Sequence, residues 1–144
     1  MTPRVRPARV SDGDALADLS TQLGYPITPA EARERLAAIE GHPDHALLVA
    51  EEDGRVSGWI QVSLTRAFET PVQAEIAGLI VDAAARGRSI GAALVGEAES
   101  WARARGCLAL RVRPNVIRER AHRFYRRAGF EIIKTQHVFE KRLG

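Results

Sequence analysis

The chain has 144 residues, of which 45% are hydrophobic, enough to build the core of one ordinary domain. No apolar run approaches the ~18 residues of a transmembrane span, and the N-terminus lacks the apolar stretch of a secretory signal, so we expect a cytoplasmic protein. The net charge of +3 permits an anionic ligand without requiring nucleic acid, and the single cysteine, Cys107, excludes an internal disulfide.

The first part of the chain predicts one strand followed by two helices. Leucines recur at helical spacing after Ser11, a residue type that caps helix starts. Thr28 and Glu31 form the pattern of a capping box at the start of the second helix. The predicted elements are a strand at residues 4–8, a helix at about 12–23 and a helix from 28 to about 39.

From residue 45 the pattern changes to short apolar strands and later returns to helical spacing. Asp53-Gly54 is a hairpin turn signal, and Ile90, Leu94 and Ala98 fall on one face of a helix. The predicted elements are strands at residues 45–51, 56–64 and 73–81, a helix at 89–105, a strand at 107–111, a helix at 115–128, and two short strands at 131–133 and 137–141.

The predicted order is therefore β-α-α-β-β-β-α-β-α-β-β. Hairpins in the middle of the chain indicate antiparallel pairing, and the later alternation of helices with strands indicates helices that cover the sheet. We expect a single α/β domain over residues 1–144, with three layers and a mixed, mostly antiparallel sheet flanked by helices.

The turn between the strand at 73–81 and the helix at 89–105 is a candidate anion site. A helix start presents unpaired N–H groups and the positive end of the helix dipole, and glycines let a ligand approach the backbone. The turn is small and basic, which favours a phosphate or pyrophosphate; a solvent-facing turn with an ordinary helix cap is the alternative. Its residues are Arg86, Gly87, Arg88, Ser89, Ile90 and Gly91.

Two familiar phosphate-binding loops are absent. The sequence contains no G-x-x-x-x-G-K-[ST] and no G-x-G-x-x-G, which excludes a Walker-type loop and the dinucleotide-binding fingerprint.

Two blocks of the sequence resemble the GNAT superfamily of N-acetyltransferases. Residues 86–91 are similar to the family's acyl-CoA signature [Q/R]-x-x-G-x-[G/A], and residues 121–130 are similar to its A-x-x-F-Y-x-x-x-G-F block. The order of elements is also that of the family, so the resemblance covers essentially the whole chain. Ser89 stands where the signature has its first glycine, and its N–H can serve a phosphate provided that the backbone needs no positive φ.

The resemblance implies that the chain binds acetyl-CoA. The pyrophosphate would lie on the amides of residues 87–92, which include Ala92, and the pantetheine arm would pair with the strand along Leu79, Ile80 and Val81. Asn115 matches a family position that contacts the pantetheine, although an N-cap role is an alternative. The arginine-rich helix at 115–128 is either a solvated face or a track for the 3′-phosphate of CoA.

The resemblance also implies the catalytic groups. Tyr125 matches the family's general acid, a phenol able to donate a proton to the departing thiolate; positioning CoA without donating a proton is the alternative. Glu75 precedes the signature at the spacing of the catalytic glutamate in histone-acetylating members, and a water relay is the alternative base. A backbone N–H near residues 80–81 would stabilise the developing oxyanion.

The acceptor is the least defined part of the prediction. The resemblance places it near the loop at 24–28 and the turn at 134–136, and it favours a primary amine of a small molecule over a protein N-terminus or lysine. A non-catalytic acyl-CoA-sensing module is the alternative function. A homodimer would agree with what is usual in the family. We expect no nucleic-acid partner, no membrane partner and no metal, because His42 and His45 lack a third ligand in the sequence pattern.

Overall fold

The computed structural model of the chain describes residues 3–85, 89–112 and 119–144. The chain divides into two compact units, residues 1–113 and 114–144. The first unit holds β1 (Arg4–Pro7), α1 (Gly13–Gln22), α2 (Pro29–Ile39), β2 (His45–Glu52), β3 (Arg55–Thr65), β4 (Gln73–Val81), α3 (Ile90–Ala104) and β5 (Leu110–Val112). The second holds α4 (Glu119–Arg127).

The sheet has the order β1-β2-β3-β4-β5. Its first three pairings are antiparallel, and β4 pairs with β5 in parallel across α3. This confirms the predicted α/β class with a mixed, mostly antiparallel sheet.

Local sequence signals placed the turns correctly. Asp53 and Gly54 have φ of 51° and 77°, the left-handed pair that a tight hairpin between β2 and β3 requires. At the start of α2, Thr28 Oγ1 accepts the Glu31 N–H at 3.1 Å, and Glu31 Oε1 accepts the Thr28 N–H at 2.9 Å. The capping box is therefore confirmed.

The predicted cap of the first helix is wrong. Ser11 lies inside a short 3-10 turn, Val10–Asp12, that precedes α1. Asp12 is the residue before α1, but its side chain does not cap that helix; its Oδ2 accepts the Arg9 N–H at 2.7 Å, at the start of the 3-10 turn. The Arg6 guanidinium donates to both oxygens of Asp12 at 2.9 Å, and these bonds hold the pKa of that carboxyl below its usual value.

The two predicted C-terminal strands are also absent. Residues 131–144 have no secondary structure, and Phe139 is 94% exposed. Alternating apolar residues suit a strand, but a strand forms only where a neighbouring strand supplies backbone hydrogen bonds. The part of helix 115–128 before Glu119 lies outside the described residues.

Helices cover both faces of the sheet. The indole of Trp59 on β3 donates to Ser20 Oγ of α1 at 3.3 Å, so Trp59 points to the α1 side. The preceding residue, Gly58, lies against Ile90 and Leu94 of α3 on the other side. The first unit is therefore layered as helix, sheet and helix, as predicted. Within the described ranges, no helix combines the length and apolarity needed to cross a membrane.

The packing of α3 depends on the absence of a side chain at Gly58. Ile90, Leu94 and Ala98 are buried on the face of α3 that meets the sheet. A Cβ at Gly58 would stand 2.9 Å from the carbonyl oxygen of Ile80 and 3.3 Å from a methyl of Leu94. Because one of these contacts is to backbone, α3 or β4 would have to move.

We expect Gly58→Ala to lower the free energy of unfolding by about 1–3 kcal/mol through this overpacking. Urea denaturation would measure the change. Gly96→Ala is the matched control, because Gly96 lies on the exposed face of α3 with no atom within 4 Å of an added Cβ. That variant should gain up to about 1 kcal/mol from helix propensity. Equal stabilities of the two variants would contradict the close contact at Gly58.

Candidate functional site

Among the described residues, one edge of β4 lacks a partner strand along about half of its length. β4 pairs with β3 from Gln73 to Val81, but its pairing with β5 covers only Ala74 to Ile76. No strand in the described parts of the chain pairs with the later residues of that edge. Of the predicted pantetheine positions Leu79, Ile80 and Val81, only Leu79 and Val81 direct their backbone polar groups to this edge. The groups of successive residues alternate, and the carbonyl of Ile80 points to Gly58 of β3.

The open edge begins at a β-bulge. Gln61 of β3 faces Gly78, whereas the next residue, Val62, faces Ile76, so Ala77 is an extra residue on β4. Since side chains alternate along a strand, the extra residue places Glu75 and Gly78 on the same face of the sheet. Ala77 itself is exposed although it lies in the middle of the strand.

The face that carries Glu75 is the α1 face. Gly78 is in van der Waals range of Trp59, since an added Cβ would lie 2.9 Å from two carbons of the indole ring. The Ser20 carbonyl accepts the N–H of Tyr25 at 2.9 Å, so the same residue of α1 holds both Trp59 and the start of the following loop. The predicted acceptor loop at 24–28 is thus anchored beside this face.

Glu75 is half-buried between two strands. It faces Ser63 of β3 and Arg111 of β5 in the register of the sheet. A carboxylate at this position is partly shielded from water and still accessible. This arrangement suits a group that receives a proton from a bound amine.

The link from β4 to α3 is held by Asp82. Its carboxylate accepts the Ala84 N–H at 2.9 Å, and its own N–H donates to the Ser57 carbonyl at 2.8 Å. The chain then enters a 3-10 turn, Ala83–Ala85. Three residues of the predicted anion site, Arg86, Gly87 and Arg88, lie outside the described residues, as does Asn115.

The start of α3 supplies the remaining predicted anion donors. The N–H of Ala93 donates to the Ser89 carbonyl at 3.0 Å, which is the first turn of the helix. Ile90, Gly91 and Ala92 precede it, and N–H groups at such positions have no acceptor within their own helix. Together with the helix dipole they form a suitable site for a phosphate group.

Ser89 adopts a left-handed backbone conformation, which favours glycine. Its φ of 62° and ψ of 20° lie in the left-handed region, and its side chain makes no capping hydrogen bond. The condition stated for Ser89, that the backbone needs no positive φ, is therefore not met. A Cβ in this region costs about 1–2 kcal/mol.

Tyr125 lies on α4, in the second unit. Its ring makes edge-to-face contacts with Phe124 and Phe130, with ring centroids 5.2 and 5.6 Å away. Burial raises the pKa of Tyr125 to about 12, so its phenol stays protonated at neutral pH. Nearby, Arg123, Arg126 and Arg127 are exposed, which agrees with a solvated face.

The histidines do not assemble a metal site among the described residues. His42 and His45 are in edge-to-face contact, and His42 Nδ1 accepts the Asp44 N–H at 3.0 Å. The Asp44 carboxylate is bonded to Arg66 at 3.1 and 3.2 Å. No group of three or more potential ligands gathers in the described ranges.

Sequence reasoning missed the contribution of β3. Trp59 and Gln61 lie on the same face as Glu75, and neither belongs to a motif. The available signal was Gly78, because a glycine inside a strand often marks a bulge or a close approach.

We expect Ser89→Gly to raise the free energy of unfolding by about 0.5–1 kcal/mol. The variant relieves the left-handed strain, and the greater freedom of glycine in the unfolded chain offsets part of the gain. Ser89→Ala is the control, since it removes only a hydroxyl that caps nothing and should change stability by less than about 0.5 kcal/mol. Urea denaturation of all three proteins tests this, and an alanine variant as stable as the glycine variant would contradict it.

Comparison with known proteins identifies the family. The sequence model of the Acetyltransferase (GNAT) family matches residues 14–130. An aminoglycoside N(6′)-acetyltransferase type 1 from Klebsiella aerogenes is 27% identical over 149 aligned positions, which cover 99% of this chain and 98% of the relative.

Solved structures show the same fold. AAC(6′)-Iy in complex with the bisubstrate analogue CoA-S-monomethyl-acetylneamine superposes with a TM-score of 0.87 at 16% identity, covering 99% of this chain and 100% of that one. A transcriptional regulator from Bacillus halodurans C-125 gives 0.86 at 23% identity, covering 96% and 99%. The family match, the fold and the open strand beside a helix start agree: the chain belongs to the GNAT family and is an N-acetyltransferase.

Proposed function

We propose that the protein moves an acetyl group from acetyl-CoA to a primary amine of a small molecule, by direct transfer within a ternary complex. The observation that carries the proposal is the half-open β4. Glu75 lies on the face beside the predicted acceptor loop, and beyond the bulge the edge that no described strand pairs leads to the first turn of α3. Acetyl-CoA bound along this edge of β4 and an amine bound on the face that carries Glu75 would then meet at the same strand.

The described residues fit a CoA thioester. The backbone groups of Leu79 and Val81 border the edge that no described strand pairs, and a pantetheine arm lying along Leu79, Ile80 and Val81 would bond to them as an added strand does. The first-turn amides of α3 suit its pyrophosphate. By resemblance Arg86, Gly87, Arg88 and Asn115 complete this site.

Each proton has a defined place in the proposed reaction. Acetyl-CoA supplies an activated acyl group, and the amine nitrogen forms a bond to the acyl carbon as the carbon–sulfur bond breaks. Glu75, directly or through a water, accepts the proton that the ammonium form of the acceptor must lose. Tyr125 donates its phenolic proton to the departing thiolate, and its pKa of about 12 ensures that this proton is present at neutral pH.

The relatives favour a small-molecule acceptor. The Klebsiella relative is an aminoglycoside acetyltransferase by name, and it aligns with nearly the whole chain. The strained Ser89 favours a second candidate, an acyl-CoA-sensing protein with weakened donor contacts.

A cytoplasmic location and a homodimer stay predictions. Sedimentation equilibrium would test the homodimer.

Thiol release from acetyl-CoA in the presence of aminoglycosides, amino sugars and alkylamines tests the proposal. We expect steady release with at least one amine, and we expect Tyr125→Phe to lower kcat by about 10²-fold or more, since it removes a general acid and keeps the ring packing. Calorimetry should find the dissociation constant of CoA unchanged in this variant. Donor binding without release for any amine would favour the sensing protein, and an unchanged kcat in Tyr125→Phe would exclude the general-acid role.

A second variant tests the proposed base. Glu75→Gln should lower kcat/KM by about 10²-fold in neutral buffer, because most of the acceptor then arrives as an ammonium ion. The loss should shrink as the pH rises above the pKa of the acceptor amine, where the free amine already dominates. Glu69→Gln removes the same charge from the exposed β3–β4 loop and is the control. A loss independent of pH would show that Glu75 has a structural role.

A further inference from the structure

We propose that Gln61 is a specificity-determining residue that hydrogen-bonds a hydroxyl group of the acceptor, next to its reacting amine. The inference rests on the proposed function and goes beyond it by naming the acceptor class, a hydroxylated amine. It derives from the geometry of β3, which carries no motif of the family.

The two faces of β3 differ in how completely they are covered. Gly58, Ile60 and Val62 alternate along the strand and are buried under the α3 side. Trp59, Gln61 and Ser63 occupy the other face and are all half-buried. The α1 face is therefore only partly covered at the positions opposite Glu75 and Gly78.

Gln61 occupies the middle of this partly covered face. It is directly opposite Gly78, which has no side chain, and the space there is taken by the edge of the Trp59 ring. The next pair on the same face is Ser63 with Glu75. Gln61 thus lies between an aromatic wall and the proposed base.

Gln61 and Glu75 are close enough for one small molecule to contact both. They share a face and are one residue pair apart along β3, and long side chains reach diagonally between paired strands. A ligand whose amine meets Glu75 would therefore bring the adjacent carbon and its substituent to the Gln61 amide.

The chemistry of the amide defines that substituent. A glutamine side chain has one carbonyl acceptor and an NH₂ donor and no charge, so it matches a hydroxyl group, which both donates and accepts. In the described residues the Gln61 side chain forms no hydrogen bond, although its neighbours Ser57 and Trp59 on the same strand do. Its hydrogen-bonding groups are accordingly available to a ligand.

A matched pair of acceptors tests the inference: cyclohexylamine, and an aminocyclohexanol with the hydroxyl on the carbon next to the amine. At saturating acetyl-CoA, Gln61→Leu should lower kcat/KM for the amino alcohol by about 10-fold, the value of one hydrogen bond, and change that for cyclohexylamine by less than about 2-fold. Gln73→Leu is the control, because Gln73 lies on the same face at the far end of β4, two residues before Glu75. That variant should leave the ratio of the two specificity constants unchanged.

The outcomes separate this inference from the proposed function. Turnover of both amines with the same ratio in wild type and Gln61→Leu would overturn the role of Gln61 and leave the acetyltransferase proposal intact. Turnover of neither amine leads to calorimetry of the two amines with the CoA-bound protein. Equal binding of the amino alcohol by wild type and Gln61→Leu, or no binding by either, would then overturn the inference, and weaker binding by the variant alone would support it.

Discussion

The bulge at Ala77 is the constraint on which the geometry of the site depends. Without the extra residue, strict alternation would place Leu79 on the face of Glu75 and turn Gly78 toward α3. With it, Gly78 and Ile80 follow Glu75 onto the α1 face, while Leu79 and Val81 point toward α3. One inserted residue thus allows a single strand to present a carboxylate on one face and pack apolar side chains on the other, beside an edge that no described strand pairs.

This edge can bind a ligand only if the end of β4 has a fixed position. Packing against α3 fixes that position. Ile90 and Leu94 are buried against β3 where Gly58 leaves room, so the first turn of the helix is fixed next to the last residues of β4. Asp82 closes the connection from the strand side with its bonds to Ala84 and Ser57. The end of β4 and the first-turn amides of α3 therefore lie at one corner of the first unit, where an extended ligand with a terminal phosphate can contact both.

Local signals in the sequence predicted local structure well, and contacts between distant residues were beyond them. Thr28 and Asp53-Gly54 act within a few residues, so their patterns alone identified a helix start and a hairpin. The bulge, by contrast, is a property of the register between β3 and β4, and the contact of Trp59 with Gly78 joins residues that no motif connects. The prediction of strands at 131–133 and 137–141 was wrong for a related reason. Alternating apolar and polar residues indicate that a segment favours a strand, but they do not show that a partner strand lies next to it. The turn before α3 was recognisable from its small, basic residues at a helix start, and Glu75 came from the family resemblance. Neither signal pointed to the side chains of β3 that share the face of Glu75.

Ser89 shows how strongly this corner dictates its own backbone. A serine prefers negative φ, and a free helix start would use it as an ordinary cap with extended backbone. The residue instead takes the left-handed conformation, because Ile90 is buried against the sheet one position later and fixes where the helix begins. Burial of an isoleucine and a leucine contributes more free energy than the strain of about 1–2 kcal/mol removes. A serine in place of glycine at position 89 therefore makes the turn less stable without changing its conformation. Backbone strain of this kind persists where the packing of neighbouring residues leaves no other conformation possible. Strained residues are frequent at ligand-binding sites. The direction of the α3 amides is then set by the packing of α3 on the sheet, whichever residue stands at position 89.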